Sequence, residues 1–254
     1  MAVTMRYLGW SAFELSLTDG RLVLLDPLLA GAPEEDVPPS PARVEDFDGV
    51  DAILVTHAAG DHLGQAFEIL QRSRATLVCD VATRFLALAA GIPRDRIYPM
   101  VPGVQFDLSG LRVKALAAQH LSFRQLGPQA YISAPPLSYL VTSPDGDRLF
   151  LGGDTAITKD HQLFGELYAP HVAVLGVGGV NVMGQSFTEL YPDEAALVAQ
   201  WLKVQVAIPI HYRFDEGARF ADELQQRAPE IRTVLLLPGE SYRYERESPG
   251  PRGT

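Results

Sequence analysis

The stretch Ile53-Leu54-Val55-Thr56-His57-Ala58-Ala59-Gly60-Asp61-His62 is where the reading of this chain begins. Its first three residues form an apolar run of the kind found in a strand buried on both faces. The run stops at Thr56-His57, passes through a turn of small residues, and reaches Asp61-His62 just ahead of a helical pattern. Two imidazoles and a carboxylate thereby gather at the C-terminal end of a strand, where open α/β sheets build their sites. Histidine and aspartate together are ligands for zinc, iron or manganese. Taken alone, the stretch reads equally as a turn in which Asp61 caps a helix and two histidines lie on the surface.

The same event recurs along the chain. An apolar strand predicted over 111–117 leads to Gln119-His120, one over 148–151 delivers Gly152-Gly153-Asp154-Thr155, and one over 206–209 ends in Ile210-His211-Tyr212. Repeated delivery of a metal-compatible residue by a buried strand favours a site over a set of surface turns. His161, on the polar face of a predicted helix, is expected to be solvated. His171, after Pro170, is expected to be a turn residue.

The remaining pattern mixes strands and helices throughout. Alternating apolar positions predict strands over 5–8, 13–17 and 21–25, with Thr18-Asp19-Gly20 as a hairpin turn. Further strands are predicted over 76–79, 97–100, 104–108, 137–142, 172–175 and 233–237. Helical spacing appears over 63–74, 82–90, 159–168, 188–202 and 215–227. Residues 28–48 and 123–136 read as loops, punctuated by proline, that shape any pocket. The glycine-rich stretch 176–184 reads as a turn at the site's edge and lacks the basic residue of a phosphate-binding loop. Two packed sheets with helices outside fit this order better than one parallel sheet, which makes the fold class α+β. Residues 1–247 are expected to form a single domain, and 248–254, rich in proline and glycine, a disordered tail.

Composition bounds the function. Acidic residues outnumber basic ones, 31 to 21, for a net charge of -10. That balance argues against nucleic acid or an anionic membrane as a partner. A small-molecule substrate, even an anionic one, stays open, because a bound metal reverses the local field. Cys79 is the sole cysteine and falls in a predicted strand, so it reads as core filler. The first ten residues show no leader pattern and no run approaches a membrane span of about 18 apolar residues. A cytoplasmic protein is therefore expected. The apolar pair Leu28-Leu29 offers an interface for a possible homo-oligomer.

These residues, in this order, resemble the metallo-β-lactamase superfamily: Thr56-His57, Asp61-His62, His120, Gly153-Asp154-Thr155 and Pro209-Ile210-His211-Tyr212. The start, Tyr7-Leu8-Gly9-Trp10-Ser11-Ala12-Phe13 with Leu24-Leu25-Asp26-Pro27, is similar to the L-ascorbate-6-phosphate lactonase-like branch of metal-dependent hydrolases. The resemblance implies a four-layer αββα sandwich with a metal site at one edge. It implies metal ligation by His57, Asp61, His62, His120, Asp154 and His211, with Asp154 bridging two sites. Asp61, His57 and His120 are the implied catalytic residues, and Asp26 is implied to lie near the metal, where it can hold a ligand histidine. A turn-capping role is the alternative for Asp26.

Two positions depart from the pattern. The family's His-x-His-x-Asp-His has Ala59 at its second histidine, and its early Gly-His is Gly9-Trp10. The second site keeps Asp61, His62, Asp154 and His211, while the first is left with His57, His120 and Asp154. One firmly bound divalent ion, zinc or manganese, and a weaker or absent second are expected. Such an ion activates water toward an ester, lactone, amide or phosphodiester, so the expected enzyme is a metal-dependent hydrolase. With the first site empty, His57 or His120 is free for proton transfer. The competing reading is a non-catalytic module that keeps the fold for binding; an iron oxidoreductase on the same sandwich is a third. Trp10 is expected to wall the cleft or fill the gap, Tyr212 to pack, and Arg124 to face solvent or meet an anionic substrate.

Overall fold

The computed structural model describes residues 2–33, 36–182 and 185–246. Gly184 and the expected tail 248–254 lie outside the described residues. The first part of the chain supplies strands β1 (Ala2–Gly9), β2 (Ala12–Ser16), β3 (Leu22–Leu25) and β4 (Ala52–Val55), then helices α1 (Gly60–Leu63) and α2 (Ala66–Arg72). Strand β5 (Thr76–Cys79), helix α3 (Val81–Ala89) and strand β6 (Ile97–Pro99) follow. The chain continues through β7 (Gln105–Leu108), β8 (Leu111–Ala117), β9 (Ser122–Gly127), β10 (Ala130–Ala134), β11 (Leu137–Thr142) and β12 (Arg148–Leu151). Helix α4 (Asp160–Tyr168), strands β13 (Val172–Gly176), β14 (Gly178–Val182) and β15 (Gln185–Leu190), helix α5 (Pro192–Leu202) and strand β16 (Val206–Ile210) come next. Helix α6 (Glu216–Arg227) and strands β17 (Arg232–Thr233) and β18 (Ser241–Glu245) complete the described α-helices and strands, and short 3-10 turns lie at Val44–Phe47, within the expected loop, and Arg94–Arg96.

Two seven-stranded sheets carry the architecture, in the orders β18-β1-β2-β3-β4-β5-β6 and β17-β16-β13-β12-β11-β8-β7. One core lies between them, where Met5, Phe13, Leu15 and Leu54 meet Tyr139, Val141, Val174 and Ile208. The outer face of the first sheet packs on α2 and α3 through Ile53, Val55, Ile69, Leu70 and Ala87. The outer face of the second packs on α4, α5 and α6 through Leu175, Phe164, Val198, Leu202, Phe220 and Leu224. The layers therefore run α, β, β, α. Strand β4 shows why its sequence is apolar at every position: Ala52 and Leu54 face the inner core while Ile53 and Val55 face the helices.

Several predicted elements differ. The helix expected over 63–74 is broken after Leu63, because Gly64 turns the chain at φ 44° and any side chain there would collide with the Pro27 carbonyl. Gln65 N–H donates to that carbonyl at 2.9 Å. Residues 123–136, expected as a loop, hold the β9–β10 hairpin, and the glycine-rich turn is instead the β14–β15 hairpin. The helix expected from 188 starts at Pro192, where Glu194 Oε2 accepts from Tyr191 N–H at 3.1 Å. Of the strand expected over 233–237 only β17 pairs; Leu235 and Leu237 are exposed. Strand β18, which the sequence reading missed, pairs antiparallel with β1. Leu28 and Leu29, expected to offer an interface, are buried. Cys79 is buried in β5, as expected.

Candidate metal centre

The candidate ligand residues arrive from strand ends. Strand β4 runs into Thr56-His57, β8 leads to His120, β12 to Asp154 and β16 to His211, while His62 sits on α1 beside Asp61. Their donor atoms converge. His211 Nε2 lies 3.2 Å from Asp61 Oδ2, 3.5 Å from Asp154 Oδ1 and 3.3 Å from His62 Nε2. His62 Nε2 lies 3.3 Å from Asp154 Oδ2. The donors of Asp61, His62, Asp154 and His211 all fall within 4.8 Å of one another, and so do those of His57, His120 and Asp154. Asp154 belongs to both groups. The structure thus brings together every residue that the sequence nominated as a ligand.

The backbone is bent to achieve this. Trp10, Asp26 and His211 adopt left-handed conformations, with φ of 49°, 42° and 61°. Each such non-glycine residue costs about 1–3 kcal/mol and survives only where its surroundings insist. Here His211 N–H donates to the Trp10 carbonyl at 3.2 Å, and the Tyr7 hydroxyl donates to the same oxygen at 3.2 Å. Glycine is required at 153, where φ is 60° and a Cβ would come within 2.8 Å of the Thr56 side chain.

A buried hydrogen-bond network sets the imidazole tautomers. Asp26 accepts from the Thr56 amide at 2.8 Å, from the Thr56 hydroxyl at 2.7 Å and from His62 Nδ1 at 2.8 Å. His62 therefore carries its proton on Nδ1 and turns the Nε2 lone pair to the centre. Thr56 has spent its only hydroxyl proton on Asp26, so its oxygen accepts from His57 Nδ1 at 3.1 Å. That leaves His57 Nε2 as a lone pair, buried and without a hydrogen-bond partner. On the opposite side, Glu189 Oε1 accepts from His120 Nδ1 at 2.8 Å and frees His120 Nε2. These are the supports that orient imidazoles toward a cation.

Electrostatics point the same way. Burial favours a neutral His62, yet Asp154, Asp26 and Asp61 outweigh it and hold its pKa well above the usual value. Burial pushes the Asp154 carboxyl up, but His211 and His62 more than reverse this and hold it well below the carboxylate range. Burial, reinforced by the neighbouring His62, drives His57 well below the ordinary imidazole range. A field that retains protons on buried rings is a field that attracts cations. Two carboxylates and two inward imidazoles fit a divalent ion at the four-residue group, and the orphaned His57 nitrogen belongs to the thinner, three-donor group beside it.

Other nominated residues find distinct places. Trp10 Nε1 donates to Asp61 Oδ2 at 3.1 Å, and its ring lies 4.0 Å from that of His211 while packing with Leu28, Ala32 and Val37. It both walls the site and fills space. Tyr212 packs on Gly217 of α6. Arg124 is exposed on β9, with its guanidinium against Gly60. His161, expected to be solvated, is instead buried near Phe150 and Phe164, since its helix turns that side to β12. His171 is buried and accepts from the Arg148 amide at 3.2 Å.

Three supporting residues escaped the sequence reading. Glu189 was assigned to the following helix; the Pro192 and Glu194 start signal would have released it to a strand. Asp80 and Ser122 form a second brace: the Ser122 hydroxyl donates to Asp80 Oδ2 at 2.5 Å and accepts from the Ala58 amide at 3.0 Å. No local pattern announces that pairing. Beside the metal centre lies a cavity of about 910 Å³ between residues 59–61 and the β9–β10 hairpin.

Comparison with known proteins agrees with this geometry. Residues 21–212 match the beta-lactamase superfamily domain. A UPF0173 metal-dependent hydrolase of Methanopyrus kandleri is 34% identical over 241 residues, which cover 93% of this chain and 97% of that protein. One from Nitratidesulfovibrio vulgaris is 34% identical over 250 residues, covering 95% of each. The solved structure of Igni18, a metallo hydrolase from Ignicoccus hospitalis, superposes with a TM-score of 0.78 at 26% identity, covering 97% of this chain and 100% of that one. The sandwich, the convergent ligands and these relatives together place the chain in the UPF0173 family of metal-dependent hydrolases, within the metallo-β-lactamase superfamily.

Proposed function

We propose that the protein hydrolyses an ester, lactone, amide or phosphodiester of a small molecule, with one ion held firmly by Asp61, His62, Asp154 and His211. The convergence of those four donors within 4.8 Å carries the reading. A divalent cation there, zinc or manganese in this proposal, supplies Lewis acidity toward a carbonyl or phosphoryl oxygen and brings a water's pKa to roughly 7. His57, His120 and Asp154 hold a second ion more weakly, because Ala59 contributes no ring.

The side chains supply the rest. Asp61 is fixed by the Trp10 N–H and presents its carboxylate at the cavity wall. His57 Nε2, unpartnered, presents a lone pair to the three-donor group, and the burial that keeps the ring neutral opposes its taking up a proton, so it serves as a ligand in preference to a base. Burial opposes protonation of His120, but the hydrogen bond to Glu189 and the charge of Asp154 prevail and raise its pKa, which suits it to return a proton to the leaving group. A small-molecule substrate accords with the net charge of -10; a cytoplasmic setting belongs to the same proposal.

Elemental analysis of the purified protein tests it: about one equivalent of zinc or manganese per chain is expected. Ala59→His should raise metal content toward about two equivalents and add hydrolysis, since it restores a third ring to the depleted group. No metal uptake even after incubation with either ion would favour the alternative that Ala59 also supports, a non-catalytic binding module on the same fold.

A further inference from the structure

We propose that the cavity beside the metal centre selects substrates carrying a second oxyanion, a carboxylate or phosphate remote from the bond that is cut, and that Arg124 is the residue that selects it. This rests on the hydrolase reading and names its substrate class.

Among the described residues, the charged or titratable side chains on the cavity wall are Asp61, His120, Arg124 and the phenol of Tyr131. The first two belong to the metal centre, so Arg124 is the wall's one guanidinium. Among the described residues its side chain has no ion pair and no hydrogen bond. That sets it apart from Arg21, Arg72 and Arg96, each of which spends its guanidinium on a carboxylate or carbonyl of this chain. Arg124 Nη1 instead rests against Gly60, where it lies 2.9 Å from the position a Cβ would take. It is thereby placed between Ala59, where the imidazole is missing, and the ligand Asp61.

A second donor shares the wall. Gln65 Oε1 accepts from the Leu29 amide at 2.7 Å and the Ala30 amide at 2.9 Å. Its oxygen is committed, and its NH2 has no partner among the described residues. A planar guanidinium and a free amide NH2 are donors only, the complement of a carboxylate or phosphate. Much of the remaining wall, including Leu28, Leu121, Phe123 and Tyr131, is apolar. A ligand that matches has an oxyanion at one end, an apolar or short body, and the scissile group at the metal. In a chain of net charge -10, an unpaired arginine also draws such an anion in against the overall field.

The test compares the metal-loaded protein on three matched esters: 4-nitrophenyl butyrate, mono-4-nitrophenyl glutarate and 4-nitrophenyl 4-phosphonobutyrate. The expected result is a kcat/KM at least tenfold higher for an anionic ester than for the neutral one. Whichever of the carboxylate and phosphonate arms is favoured identifies the oxyanion. In Arg124→Gln that preference should collapse, chiefly through KM, and Arg124→Lys should restore part of it. Calorimetry with glutarate and methylphosphonate reads binding without turnover, and Arg124→Gln should weaken the favoured anion at least tenfold. Gly60→Ala, which displaces the guanidinium and keeps its charge, should reduce the preference as well. Equal efficiency on all three esters, or a preference and anion affinity unmoved by Arg124→Gln, would overturn the proposal. If no ester is cut by the loaded protein, the ester branch of the hydrolase reading fails, while the calorimetric arm still decides whether Arg124 binds the anion.

Discussion

Asp26 shows how much one side chain outside the ligand set can govern. It receives the Thr56 amide, the Thr56 hydroxyl and His62 Nδ1, and through Thr56 it fixes the proton on His57. Asp26→Asn leaves one accepting oxygen for three donors and sets an NH2 against at least one of them, so it should weaken metal affinity by about 10–100-fold. Competition against a chromophoric chelator would read that change. His171 illustrates a different residue-scale effect. Burial, then the charges of Arg148 and Arg246, lower its pKa from 6.5 to about 4. The unfolded chain therefore binds the extra proton between those values and the folded chain does not. The stability contributed is complete above about pH 6.5 and declines as pH falls through about 4. His171→Gln should flatten the loss of melting temperature between neutral and acidic buffer. At this scale the sequence was most informative where a side chain ends a strand: His57, His120, Asp154 and His211 stand out for that reason. Asp80 and Ser122 do not, because their pairing, across a sequence separation of 42, is made only when the intervening chain folds.

At the scale of elements, strands apolar on both faces were readable and elements with one open face were not. Strands β4, β13 and β16 announce themselves because every position is packed. The β9–β10 hairpin has exposed Leu126 and Tyr131, and β18 alternates toward solvent, so neither carries a strong apolar signal. Conversely, apolar character at Leu235 and Leu237 suggests a strand, but the last backbone hydrogen bond to β16 is that of the Val234 amide to the Ala207 carbonyl. What no pattern could supply is the contact between sheets. Tyr139 of β11 is fully buried, and its hydroxyl donates to the Val55 carbonyl of β4 at 2.8 Å, one residue before the first turn of the metal loop. Tyr139→Phe should destabilise the protein by about 1–3 kcal/mol, because a buried carbonyl loses its donor. Urea unfolding would measure that loss, and a value near zero would show that this bond contributes nothing to joining the sheets.

For the molecule as a whole, the candidate ligands are divided between its two sheets: Asp61 and His62 follow a strand of one, Asp154 and His211 follow strands of the other. A cation bound there links both, and only in the folded state. Zinc or manganese at about 100 times its dissociation constant should add about 2.7 kcal/mol. At about 2–4 °C per kcal/mol for a chain of this size, the melting temperature should rise by about 5–10 °C and fall back with chelator. Differential scanning calorimetry with and without the ion would check it.

The left-handed turns at Trp10, Asp26 and His211 set durability against purpose. A laboratory selection for heat resistance alone, with chelator present, has most reason to accept asparagine or glycine at His211, where either relaxes the chain, while Trp10 and Asp26 stay held by packing and by buried hydrogen bonds. Lineages so evolved would be sturdier and inert. Their drift would trace the outline of the centre without any substrate having been found.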